Sequence, residues 1–214
     1  MSQGDVIGLI LSGGQATRLG NVRKATLFVG GRRLLDRVTE SLEPQVCRIL
    51  LASGQHDPKL FTGQDTVEAI PDGIFHGHGP ISGIAAAVSA LHERGESAEF
   101  LLTVAADTPF FPTDFVRRAC ALLEAHGHQA AVGAYRGQVY PTNALWRLSA
   151  LQTLPTALQA GTLMPGIKAL LRSTDHVLVD YSDIAHDPFS NVNTLTDLLE
   201  LNRRAGAPSA GTPL

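Results

Sequence analysis

Two segments, VIGLIL at 6–11 and EFLLTVAAD at 99–107, are apolar at almost every position. A strand with one wet face alternates apolar and polar residues, so a continuous apolar run has to be covered on both sides. That requirement constrains this chain more than any other feature, because it calls for a sheet held between helices. The intervening sequence supplies them. LLDRVTESL (Leu34–Leu42) has helical spacing and stops before Pro44, and Ile81, Ile84, Ala85, Val88 and Leu91 trace one face of a helix that starts near Pro80. TDFVRRACALLEAHG adds another helix, with Thr113 as its cap and Gly127 as its end. Strands are predicted at 46–53 and in DTVEAIPD, which turns at Pro71–Asp72. This βαβα order predicts a largely parallel, Rossmann-like sheet with helices on both faces, a three-layer α/β sandwich.

The second half is less regular. HQAAVGAYRGQVYPTNALWR reads as two strands joined at Arg136–Gly137, followed by a helix around Ser149, a short helix in PGIKALLRST and a strand in HVLVDY. The last helix follows NVNT, with Thr194 as its cap and Asp197 three residues on. The expected organisation is a single domain over 1–205, and the composition of GAPSAGTPL predicts a disordered tail over 206–214.

A formal charge of -3, from 17 basic and 20 acidic side chains, provides no basic field for nucleic acid. Cys47 and Cys120 are far apart without a CxxC partner and read as core thiols of a reduced compartment. No stretch has the form of a signal peptide or the length of a membrane span, so a soluble cytoplasmic protein is expected.

Open α/β sheets bind ligands beyond the carboxyl ends of their strands, and three polar clusters fall there. SGGQATRLGNVRK follows the first strand and matches neither the P-loop nor the dinucleotide fingerprint. Gly13 and Gly14 can serve a simple turn, or let amide hydrogens face phosphate oxygens while Arg18 and Lys24 add positive charge. Asp107 ends an apolar strand, either as a turn former or as a carboxylate for Mg²⁺. Asn191 and Asn193 either cap the last helix or offer oxygen to a metal. A phosphate loop, a metal carboxylate and a second oxygen donor together spell phosphoryl or nucleotidyl transfer. Among the eight histidines, no zinc-like spacing occurs.

These residues resemble the molybdopterin nucleotidyltransferases, most closely the molybdenum cofactor guanylyltransferases. The likeness rests on Leu11, Gly13, Gly14, Arg18, Gly20 and Lys24, on GPISG (Gly79 to Gly83), on Asp107-Thr108-Pro109, and on Asp180 with NVNT at 191–194. The resemblance implies a nucleotide-diphospho-sugar transferase-like fold, with a nucleotide-binding half over about 1–110 and an acceptor-binding half over about 111–205. It implies catalytic roles for Lys24, Arg18 and Asp107, and nucleotide contacts from Leu11, Ser12, Gly13, Gly14, Arg18, Lys24, Asp72, Gly79, Gly83 and Asp107. Asp107 and Asn193 would hold Mg²⁺, while Tyr140, Pro141, Asn191 and Lys168 would border the acceptor. The implied partners are GTP and molybdopterin or molybdenum cofactor, with cofactor-biosynthesis proteins or apo-molybdoenzymes as further ones, and neither nucleic acid nor membrane.

Three departures bear on the acceptor and the base. Arg23 stands where members commonly have an aspartate, Tyr140 replaces a frequent histidine, and Lys168 and Arg172 replace an arginine pair. Cytidylyl transfer to molybdopterin or a related phosphorylated acceptor stays open beside GMP transfer, as does a non-catalytic nucleotide- or pterin-binding accessory.

Overall fold

The two apolar runs lie side by side at the centre of a mixed seven-stranded sheet. The structure, a computed structural model, describes residues 5–12, 15–16, 22–23, 27–54, 66–162 and 166–206. In chain order, β1 (Val6–Leu11), β2 (Gln15–Ala16), β3 (Val22–Arg23), β4 (Phe28–Val29) and β5 (Arg32–Arg33) lead into α1 (Leu34–Leu42). Then come β6 (Arg48–Gly54), β7 (Val67–Pro71), α2 (Pro80–Glu93), β8 (Phe100–Ala105), α3 (Phe115–His126), β9 (Ala130–Tyr135) and β10 (Gln138–Arg147). The chain continues through α4 (Leu148–Leu151), α5 (Leu154–Gln159), α6 (Ile167–Ser173), β11 (His176–Asp180) and α7 (Leu195–Gly206).

The sheet order is β11-β9-β10-β8-β1-β6-β7. Only β10 runs against its neighbours among these strands, since β1 is parallel to both β6 and β8 and β9 is parallel to β11. Arg136 (φ 47°) and Gly137 (φ 81°) turn the chain between β9 and β10, with positive φ at both central residues as a tight hairpin requires. Leu9 pairs with Leu50 on one side and Thr103 on the other.

Both sheet faces are covered, which gives the expected three layers. On one face α2, α4, α5 and α6 bury Ile81, Ile84, Leu151, Leu158 and Leu170. On the other, α1 and α3 bury Val38, Leu42, Phe115 and Leu123 beside Tyr181 and Phe189. Leu201 of α7 joins Val29, Leu34 and Val192 in a small satellite cluster. Trp146 is fully buried and still satisfied: its Nε1–H donates to Thr103 Oγ1 (3.0 Å), whose hydroxyl donates to the Ala144 carbonyl (3.2 Å).

Two local expectations change. The residue preceding α3 is Asp114 rather than Thr113, and its carboxylate accepts from Tyr181 (2.8 Å) and Arg117 (3.0 Å) instead of capping the helix. Gly127 does end α3, in the left-handed conformation at φ 72°. Cys120 is a core thiol pushed up to about 11 by burial, whereas Cys47 is exposed, and neither forms a disulfide. Of the expected tail, Gly206 closes α7 and 207–214 lie outside the described residues. Among the described residues no helix is long and apolar enough to cross a membrane.

Candidate active site

Successive strands depart from β1 in opposite directions, β6 and β7 to one side and β8 to the other. The loops after β1 and β8 therefore flank the crevice where an open α/β sheet receives ligands. At its edge the Leu11 carbonyl accepts the Ala106 N–H (3.0 Å). Ser12 is turned back to the sheet, its N–H donating to the Ala52 carbonyl (3.3 Å) and its hydroxyl donating to the same oxygen. That anchoring fixes where the chain leaves β1 to enter Gly13-Gly14. Gly13, Gly14, Arg18, Gly20 and Lys24 lie outside the described residues. Between them the backbones of Gln15 and Arg23 pair antiparallel.

Asp107 stands directly beyond β8 and is only 7% exposed. Its strand is fixed from the side: the Ala105 N–H donates to Asn143 Oδ1 (3.1 Å), where β10 bulges between Tyr140 and Ala144. Asn143 is 1% exposed, and no sequence motif marks it.

Asp72, Leu11 and Gly83 share one corner. Asp72 follows β7, its N–H donating to the Gly54 carbonyl (3.0 Å), and burial pushes its carboxyl above the usual range while His76 pulls it back. A Cβ on Gly83 would lie 2.4 Å from Ala52 Cβ, 3.5 Å from Leu11 and 3.7 Å from Asp72 Oδ1. Gly83 therefore has a packing reason, since a side chain would push α2 off the sheet. Gly79 has a conformational one: at φ 69° and ψ -146° it begins α2 in a region other residues avoid, with open space where a side chain would stand.

The other polar cluster borders a cleft of about 1090 Å³. Tyr140, Asn191 and Asn193 line it together with Arg37, Phe110 and Arg204. Tyr140 donates its hydroxyl to the Asp187 carboxylate, and burial first, then that bond, push the phenol well above its usual range. Pro141 follows it in the bulged part of β10. Asn193 donates Nδ2–H to Asn191 Oδ1 (3.0 Å). Helix capping is done by the next residues: Asp197 Oδ2 accepts the N–H groups of Asn193 (2.9 Å) and Thr194 (2.8 Å), and its own N–H donates to Thr194 Oγ1 (3.2 Å). This is the expected capping box at Thr194, and the two asparagine side chains are not the caps. Lys168 and Arg172 are exposed on α6, in the helix layer with α2, and do not line the cleft.

Arg37, Phe110, Asp187 and Arg204 are absent from the residues that sequence patterns single out. Only Phe110, three residues beyond Asp107, adjoins a motif; the others come from a helix face, a surface loop and the last turn of α7. Asp180, part of the sequence likeness, accepts from the N–H (3.1 Å) and hydroxyl (2.6 Å) of Ser182.

A strand-end carboxylate and a glycine-started helix thus lie at the switch point of a three-layer fold, where open α/β sheets receive nucleotides. Residues 8–183 match the family model of the MobA-like NTP transferase domain, and the chain belongs to that family. It is 33% identical over 203 residues to the molybdenum cofactor guanylyltransferase of Bradyrhizobium sp. (strain ORS 278), covering 94% of this chain and 93% of that protein. The Rhizobium meliloti (strain 1021) protein of the same name is 33% identical over 196 residues, covering 89% of this chain and 87% of its own. Among solved structures, molybdopterin-guanine dinucleotide biosynthesis protein A from Archaeoglobus fulgidus superposes with a TM-score of 0.70 at 22% identity, over 93% of this chain and 97% of that one. The 2-C-methyl-D-erythritol 4-phosphate cytidylyltransferase of Thermus thermophilus gives 0.65 at 19% identity, over 94% of this chain and 98% of that one. Both share the fold, that of the nucleotide-diphospho-sugar transferases.

Proposed function

We propose that this nucleotidyltransferase transfers GMP from GTP to the terminal phosphate of molybdopterin, releasing pyrophosphate, as a cytoplasmic enzyme. The observation that carries the reading is the match to guanylyltransferases over nearly the full length of both chains. The nucleotide half is then about 1–110 and the acceptor half about 111–205.

An acceptor phosphate oxygen forms a bond to the α-phosphorus of GTP as the bond to the pyrophosphate oxygen breaks. The acceptor phosphate is already an anion near neutral pH, so the difficulty is bringing two anions into line rather than removing a proton. Gly13-Gly14, Arg18 and Lys24 hold the triphosphate and offset the charge that develops on it. Leu11, Ser12, Asp72, Gly79 and Gly83 border the base and ribose. Asp107 and Asn193 are the residues for Mg²⁺. The donor set suits that ion, because Mg²⁺ prefers hard oxygens and binds through one or two carboxylates together with substrate phosphates. When bound, Mg²⁺ supplies charge neutralisation at the phosphates. Tyr140, Pro141 and Asn191 border the pterin, and Lys168 adds a cation at a distance from them. Molybdoenzymes that receive the product are the partners this reaction implies.

Titrating the protein with GTP and with CTP in the presence of Mg²⁺, then following pyrophosphate release with molybdopterin, tests the reading. GTP should bind more tightly, because a site that hydrogen-bonds a base rejects the wrong donor and acceptor pattern strongly. Equal or tighter CTP binding would reassign the protein to cytidylyl transfer.

A further inference from the structure

Arg37 on α1 and Arg204 on α7 converge on one ring. The Arg204 guanidinium lies 4.0 Å and that of Arg37 5.8 Å from the centre of Phe110, and all three line the cleft that holds Tyr140, Asn191 and Asn193. The hydrogen bonds of both arginines go to backbone carbonyls: Arg37 Nε–H to Val29 (2.7 Å) and Nη2–H to Gly30 (3.5 Å), and Arg204 Nη1–H to Asp187 (2.6 Å). Among the described residues neither guanidinium is matched with a carboxylate in an ion pair. Three acids line the same cleft, Asp187, Asp197 and Glu200. Asp187 gives one carboxylate oxygen to the Tyr140 hydroxyl and the other to the Phe189 N–H (2.8 Å), and Asp197 accepts the N–H groups of Asn193 and Thr194. Burial holds both guanidiniums below their usual pKa; Arg32 adds to this for Arg37, while the Asp187 carboxylate and Tyr135 pull Arg204 part of the way back. Each remains charged at neutral pH.

Two charged forks thus sit partly out of water with unused N–H donors, braced by backbone and by an aromatic face. Carbonyl contacts orient a guanidinium without neutralising it, which is the state an anionic ligand relieves. Phe110 braces both through ring–cation contact, and all three residues line the cleft. We propose that Arg37, Phe110 and Arg204 form the acceptor's anion-binding platform, taking a phosphate carried on a ring-bearing acceptor rather than the triphosphate of the nucleotide. The assignment rests on the nucleotidyltransfer reading for its substrate, and it gives this chain its acceptor cations on α1 and α7, where Lys168 and Arg172 do not reach the cleft.

Arg37→Gln and Arg204→Gln should each raise the acceptor KM about tenfold, with turnover recovered at saturating acceptor and GTP affinity within about twofold of wild type. Arg204→Lys keeps the charge and loses the fork and the stacking, so it should recover only part of the loss. Phenyl phosphate, a ring with one phosphate, provides a probe independent of the natural acceptor. Calorimetric binding to the wild-type protein should weaken at least about fivefold in each glutamine variant. If the wild type transfers no GMP to molybdopterin, the acceptor reading fails and phenyl phosphate alone decides the platform. An unchanged acceptor KM, a parallel loss of GTP affinity, or phenyl phosphate binding that is absent or equal in all variants would overturn it. Should Arg204→Gln not fold, Arg37→Gln and Arg204→Lys decide between the same outcomes.

Discussion

The two polar clusters are built by different rules. On the side proposed for the nucleotide, Leu11-Ser12, Asp72, Gly79–Gly83 and Asp107 occupy short contiguous stretches that close strands or open a helix. Their placement rests on main-chain direction: Ser12 folded back on Ala52, Gly79 at positive φ, Gly83 pressed on Ala52. On the side proposed for the acceptor, the cleft draws Arg37 from α1, Phe110 from the loop after β8, Tyr140 from β10, Asp187 from a loop and Arg204 from the end of α7. Its chemistry rests on side chains. A surface whose shape is set by backbone turns has to keep its local sequence together, while one assembled from side chains alone can collect them from anywhere the fold brings within reach.

The largest expected effects strike the nucleotide side. Lys24→Ala and Asp107→Asn should each lower turnover by about 100-fold or more, as the loss of a charge donor or metal carboxylate does in related chemistries. Pyrophosphate release measures this, and a melting curve separates the two meanings of Asp107. Unfolding with unchanged specific activity would return it to a turn role. Near-wild-type turnover in Lys24→Ala would remove that lysine from the reaction.

Two glycines sharpen the contrast at the next level. A Cβ on Gly83 would meet Ala52 at 2.4 Å, and one on Gly133 would meet the Phe189 ring at 2.6 Å. Overpacking at such contacts costs about 1–3 kcal/mol, or a fall in Tm of roughly 2–4 °C per kcal/mol for a chain of this size. Phe189 packs on Tyr140, with ring centres 5.1 Å apart. Gly133→Ala should therefore also raise the acceptor KM, whereas Gly83→Ala should weaken GTP. The reverse assignment of the two effects would break the division between the sides.

Thr194→Ala removes the hydroxyl that accepts the Asp197 N–H and should cost about 1 kcal/mol, read from denaturant unfolding. Unchanged stability would mean that α7 is held by Leu201 and the satellite cluster rather than by its cap.

Asp72→Asn should be smallest. The carboxyl of Asp72 is held above its unfolded value by burial, so the native state binds its proton more tightly. Stability then falls as pH rises through the interval between the ordinary carboxylate range and that raised value. The asparagine variant should melt slightly higher near neutral pH, with the gain gone below the ordinary carboxylate range. A lower Tm at neutral pH would show that the ionised carboxylate stabilises the corner.

The sequence by itself determined the layered α/β class, because VIGLIL and FLLTVA cannot be solvated on either face and α2 and α7 carry their own periodicity and start signals. It located the hairpin at Arg136–Gly137, where two successive residues had to take positive φ, and the capping box of α7. These are properties of a few neighbouring residues, and so is the order of the nucleotide-side anchors. Position in space was decided elsewhere. That Asp114 rather than Thr113 precedes α3, that Cys47 is exposed and that Lys168 stands away from the cleft follow from how helices seat on the sheet. Asn143, Arg37 and Arg204 carry no local pattern, for a buried carboxamide bracing β8 or a guanidinium on Phe110 is made by residues 38 to 94 positions apart. Local chemistry fixes backbone angles and faces; only packing across the sheet brings distant charges to one ring.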